Sequence, residues 1–88
     1  MNFLHYDFDA GPNDTIEVVL DRQANVRLLD EQNFQAYRSG RPHRYHGGLA
    51  TRSPVRLTPP YGGRWHVAID LGGYAGTVRA SVRVLQGA

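Results

Sequence analysis

The chain contains no cysteine and no lysine. Without thiols there can be no disulfide, no thiolate metal site and no cysteine nucleophile, so a small disulfide-stapled scaffold is excluded. Without lysine there is no phosphate-binding loop of the G-x-x-x-x-G-K-[ST] kind. No apolar run approaches the roughly 18 residues that a membrane helix needs, and no basic-then-apolar leader precedes His5. The expectation is a cytoplasmic protein with no membrane span. At 88 residues the chain has room for one hydrophobic core, so residues 1–88 are read as a single globular β-domain.

Acidic residues are missing from the middle of the chain. Residues 1–31 hold seven acids and two arginines, a net of −5, whereas residues 32–69 hold six arginines and no acid, a net of +6. Asp70, Arg79 and Arg83 complete the overall charge of +2. This segregation admits two readings. The middle segment attracts an anionic ligand or an acidic protein surface, or the acidic first third folds beside it and neutralises it.

What is present reads mostly as strand. Arg64 to Gly73 runs R-W-H-V-A-I-D-L-G-G, with Trp65, Val67, Ile69 and Leu71 alternating with His66, Ala68 and Asp70. That is the period of a strand with one apolar face and one wet face, and it carries the only tryptophan. Asn2 to Phe8, Thr15 to Leu20, Asn25 to Leu29, a segment from about Arg44 to Arg52, Val55 to Thr58 and Thr77 to Leu85 read the same way. Turn clusters separate them, among them D-A-G-P-N-D at 9–14 and P-P-Y-G-G at 59–63. Residues 31–39 break the alternation. Asp30 suits an N-cap, Phe34 and Tyr37 lie three apart, and Gly40 suits a left-handed stop, so one short helix is expected there, packed on the sheet by its two aromatics. No strand is followed by a long crossover helix. The fold class is therefore all-β: a small antiparallel sandwich or roll of about seven strands with one short helix.

N-F-L-H-Y at 2–6, N-V-R-L-L-D at 25–30, N-F-Q-A-Y at 33–37, R-P-H-R-Y-H-G-G at 41–48 and W-H-V-A-I-D-L-G-G-Y-A-G at 65–76 together resemble a small bacterial family known as domain of unknown function 1883. The resemblance spans nearly the whole chain. It implies a stand-alone domain or one joined to TIR signalling domains, hence a recognition or adaptor module, and it brings no assigned catalytic or binding residues.

The densest chemistry lies in Tyr37, Arg38, Arg41, His43, Arg44, Tyr45 and His46, with Gly40, Gly47 and Gly48 between and beside them. Guanidinium forks match phosphate or carboxylate, and tyrosines offer stacking faces. These seven residues are the candidate site of a non-enzymatic binding or interaction module for an anionic or nucleotide-like ligand or an acidic protein surface. The competing reading makes the tyrosines edge-of-core residues and the arginines solvated or paired. Nucleic acid is disfavoured by the small net charge and the lack of any RNA-recognition or zinc pattern. The alternatives are a metal-dependent or hydrolytic enzyme built on His43, His46 and His66, and a homo-oligomer formed through the edge strand near Pro54. His66 and Asp70 lie about 13 Å apart along one strand face, too far for a direct dyad. No cofactor is implied. Arg27, Arg56, Arg79 and Arg83 are expected to alternate with Glu17, His66 and Asp70 on a solvated, charge-laced sheet face.

Overall fold

The computed structural model describes residues 2–87. Seven strands and one helix follow the chain: β1 (Leu4–Ala10), β2 (Thr15–Leu20), β3 (Ala24–Asp30), α1 (Glu31–Arg38), β4 (His46–Ala50), β5 (Val55–Leu57), β6 (Gly63–Asp70) and β7 (Ala80–Leu85). All strand pairs are antiparallel. One sheet has the order β1-β6-β3-β4 and the other β5-β2-β7, an open sandwich. The Trp65 strand, β6, is central as the sequence predicts, and most expected strand boundaries move by one to three residues.

The register explains where the core sits. Val26 pairs with Ile69 and Leu28 with Val67 on one face of the larger sheet. Tyr6 and Phe8 extend that face opposite Val67 and Trp65. The smaller sheet meets it with Ile16, Val18 and Leu20, backed by Val82 and Val84. Trp65 is 2% exposed, and its indole N–H donates to the Tyr61 carbonyl at 3.0 Å, so the ring is buried without stranding its donor. At one margin the Tyr6 hydroxyl donates to the Ala80 carbonyl at 3.0 Å and ties the edge strands of the two sheets together.

The second face of the larger sheet departs from expectation. His66, Ala68 and Asp70, read from the alternation as solvent-facing, are all buried. Helix α1 covers them, and Leu29, Phe34, Tyr37 and Ala68 form a second small core with Phe3 against it. An eight-residue helix is too short to persist alone, so it forms where Phe34 and Tyr37 find this cover. Both ends are chemically fixed. Asp30 caps the start by accepting the Asn33 N–H at 2.8 Å. At the other end Gly40 takes φ +72°, its N–H donates to the Tyr37 carbonyl, and the Arg41 N–H donates to the Ala36 carbonyl at 2.8 Å, a Schellman closure.

The outer charges also split in a way the strand pattern does not reveal. Glu17 pairs across β2 with Arg56 and Arg83 on the small sheet, whereas Arg27 pairs with Asp70 under the helix. Arg79 lies just before β7, where its backbone N–H donates to Asp21.

Two substitutions test this packing. Ile69→Ala removes a fully buried side chain and is expected to lower unfolding stability by about 2–5 kcal/mol in urea titrations. Gly47 sits at φ +115°, and a Cβ there would strike the Val26 carbonyl oxygen across the β3–β4 ladder. Gly47→Ala should therefore destabilise the protein more than Gly48→Ala, whose Cβ would meet open space, although both glycines have positive φ.

Candidate functional site

The segment of residues 39–45 joins α1 to β4. It is anchored from the helix: the Asn33 side-chain oxygen accepts the Arg44 backbone N–H at 2.8 Å. His43 Nδ1 donates back to the Arg41 carbonyl at 2.9 Å. Entering β4, His46 pairs with Leu28, and its ring lies 6.1 Å from that of Trp65. These constraints open a cleft of about 680 Å³ lined by Leu28, Asp30, Asn33, His43, Arg44, Tyr45, His46, Tyr61 and Trp65.

Four of the seven predicted residues, His43, Arg44, Tyr45 and His46, therefore share one cleft. The other three do not line it. Tyr37 is buried against the sheet, with its hydroxyl donating to Asp70 at 2.8 Å. Arg38 ends α1, and Arg41 follows the helix stop; both are exposed. Among the described residues Arg38, Arg41 and Arg44 make no ion pair. The acidic first third instead engages Arg56, Arg64 and Arg83, through Asp7, Asp9 and Glu17. Neutralisation of the middle segment is thus partial, and it spares the arginines around the cleft.

Sequence reasoning missed the far wall. Tyr61 comes from the P-P-Y-G-G turn, and its hydroxyl donates to Asp30 Oδ2. That phenol, the Asn33 backbone and Asn33 amide all bond Asp30; although burial pushes its carboxyl up, they hold it below the ordinary aspartate range. Only the aromatic residue inside an otherwise structural turn could have signalled Tyr61. Tyr45 is 43% and Tyr61 50% exposed, so their rings are available to a ligand, while buried Trp65 and Leu28 form the floor.

His43, His46 and His66 do not converge on one site. His46 shares the inter-sheet face with Leu28, whereas His66 lies on the helix-covered face opposite Leu29. Among the described residues no group of three or more His, Asp or Glu side chains is arranged to hold a metal ion. A second cleft, of about 650 Å³, opens between the start of β1 and the β6–β7 loop. Its walls are largely apolar, from Phe3, Leu4, Ile69, Leu71 and Val78, and its one carboxylate, Asp70, is already fully engaged.

Asp70 is the strongest polar feature nearby. Its two oxygens accept from Asn25 Nδ2 at 2.9 Å, the Gly72 N–H at 2.8 Å, Tyr37 and Arg27. Arg27 lies over both the Tyr37 and Tyr45 rings, at 5.4 and 5.1 Å. The ion pair thus supports one wall of the cleft from behind, through Tyr45. Burial pushes the Asp70 carboxyl up, but the Asn25, Tyr37 and Gly72 hydrogen bonds and the Arg27 charge outweigh it and leave it below the ordinary range. Burial and the hydrogen bond to Asp70 push the Tyr37 phenol well up, so it remains a donor.

A family model described as domain of unknown function (DUF1883) matches residues 1–88. No curated protein and no solved structure matches the chain. Among the described residues no helix is long and apolar enough to cross a membrane.

Asp70→Asn should destabilise the fold by about 3–5 kcal/mol, because it leaves the partly buried Arg27 without its counter-charge, whereas Arg44→Ala should stay within about 0.5 kcal/mol. The pH dependence follows from the depressed Asp70 carboxyl. Its contribution is complete above the unfolded value near 3.8 and is lost as pH falls through the lower folded value. Thermal melts between about pH 6 and pH 2 should show this acid limb flattened in Asp70→Asn.

Proposed function

The chain belongs to the DUF1883 family, and from its geometry we propose that it is a binding module, not an enzyme, whose site is the cleft between the His43–His46 segment and Tyr61. The observation that carries this reading is the convergence of His43, Arg44, Tyr45 and His46 with Tyr61 on one cleft beside an exposed arginine that no acid neutralises among the described residues.

The charges favour one pose. Asp30 in the cleft wall repels a bare anion, and its oxygens suit ligand hydroxyl or amino donors instead. A planar ring therefore enters between Tyr45 and Tyr61, and the anionic group stays outside, at Arg44. This is the chemistry of a nucleotide or a similar aromatic anion. One aromatic stack and one charge-assisted fork are together worth about 2.5–6 kcal/mol, which places the expected Kd between roughly ten millimolar and tens of micromolar.

AMP, adenosine and inorganic phosphate, each titrated while the protein is followed by NMR, separate the parts. AMP should shift the Arg44, Tyr45 and Tyr61 resonances at lower concentration than either fragment. Arg44→Ala should remove the advantage of AMP over adenosine while leaving Tm nearly unchanged. If AMP perturbs none of these residues, or if Arg44→Ala binds AMP as the parent does, the reading fails.

A further inference from the structure

Beneath α1 the two imidazoles His5 and His66 meet edge to edge. His5 Nε2 lies 2.8 Å from His66 Nδ1, with the ring planes 18° apart. His66 Nε2 lies 2.7 Å from Glu31 Oε1. Phe34 covers both rings, with centroids 4.2 Å from His5 and 4.3 Å from His66 and its plane nearly parallel to each. His66 is 4% exposed, while His5 reaches solvent at the edge strand β1.

The proton inventory of this chain of groups is fixed by valence. The Glu31 carboxylate only accepts, so His66 Nε2 carries a hydrogen. With both rings neutral, His66 Nδ1 accepts from His5 Nε2–H. With one proton added, His66 Nδ1–H donates to an unprotonated His5 Nε2. Either state closes the bridge. With two protons added, N–H faces N–H at hydrogen-bond distance and two cations sit side by side under an aromatic lid, so the bridge cannot survive.

The groups facing the dyad do not rescue that doubly charged state. From β1 comes Asp7, already held by Arg64 at 2.6 Å; from α1 come Glu31, engaged by Gln35 and His66, and the opposing cation Arg38. From β3 comes apolar Leu29, with Arg27 committed to Asp70. Burial, and then the neighbouring His66, pull the His5 imidazole below its ordinary value, in keeping with this arrangement.

We propose that His5, His66 and Glu31 form a proton-operated latch for α1, closed by up to one shared proton and opened by the second. When the dyad parts, the His5 ring leaves Phe34, and the half of the short helix that rests on Phe34 loses its flank. The N-cap of that helix, Asp30, and Asn33 in its first turn line the cleft, so acidification loosens the cleft wall from behind. This last link alone rests on the binding reading above.

The latch is tested without any ligand. Histidine ring resonances and amide hydrogen-exchange protection factors are followed by NMR from about pH 7.5 to pH 5. The His5 ring should titrate in a step that also displaces the His66 ring resonances, because the bridge between them breaks. Over that step, protection of the Gln35 to Arg38 amides should fall at least about tenfold while the β3 and β6 amides keep theirs. His5→Gln supplies a side chain that takes no proton, bridges His66 in either of its states and lays a planar amide against Phe34 in place of the ring, so whatever protection the helix has in this variant should stay constant across the range. A His5 titration that leaves the His66 resonances unmoved, helix protection unchanged across the range, or the same loss in His5→Gln would each overturn the latch. Folding of the variant is checked by its retained β-sheet protection, and none of these outcomes depends on whether AMP binds.

Discussion

One buried carboxylate joins parts of the chain that lie far apart in sequence. Asp70 closes β6, and its acceptor sites are filled by Asn25 and Arg27 from β3, Tyr37 from α1 and the backbone of Gly72 in the following loop. An ionised carboxylate under a helix is tolerable only with such compensation, since an unpartnered charge there would cost several kcal/mol. The same arrangement sets where α1 lies. Tyr37 needs Asp70 for its hydroxyl, Phe34 then falls on the paired histidines, and the chain leaving the helix leads into the cleft segment.

The larger sheet is consequently buried on both faces, by the smaller sheet on one side and by a two-turn helix on the other. That is an unusual demand on an antiparallel sheet, which more often leaves one face wet. The chain meets it with little apolar material. The inter-sheet face is filled by aliphatic side chains and Trp65, while the helix side mixes Leu29, Ala68 and two aromatics with hydrogen-bonded polar groups. Ion pairs do unequal shares of this. Arg64 with Asp7 is half exposed on both partners and belongs to the class of surface pair that water screens and that contributes little. The Arg27 pair, nearly sealed on the Asp70 side, matters mainly because breaking it strands a charge.

Much of the fold was legible in the sequence, for reasons that differ by element. Strand alternation around Trp65 and in T-I-E-V-V-L reports directly a strand with one apolar face in the inter-sheet core, and Asp30, Phe34, Tyr37 and Gly40 spell a capped helix. The alternation misled at His66, Ala68 and Asp70, because a polar side chain with buried partners looks the same in one dimension as a solvated one. Only the pairing of β3 with β6 places Asn25 and Arg27 against Asp70 and Ala68, and pairing is a non-local property. The Arg-Tyr-His cluster was half separable: residues 43–46 follow one extended path and stay together, whereas Tyr37, on a helix with an apolar stripe, turns inward. Tyr61 entered from a turn that composition marks only as a turn.

Asp30 serves two structures at once. One oxygen caps the start of α1 by accepting the Asn33 N–H, and the other receives the Tyr61 phenol from the opposite wall of the cleft. Whatever draws Tyr61 away from Asp30, or competes for that carboxylate, alters the cap on which the helix begins, and whatever frays the helix alters the wall in return. The position of Tyr61 and the order of the helix are therefore reciprocal quantities, coupled with equal strength in both directions through a single side chain.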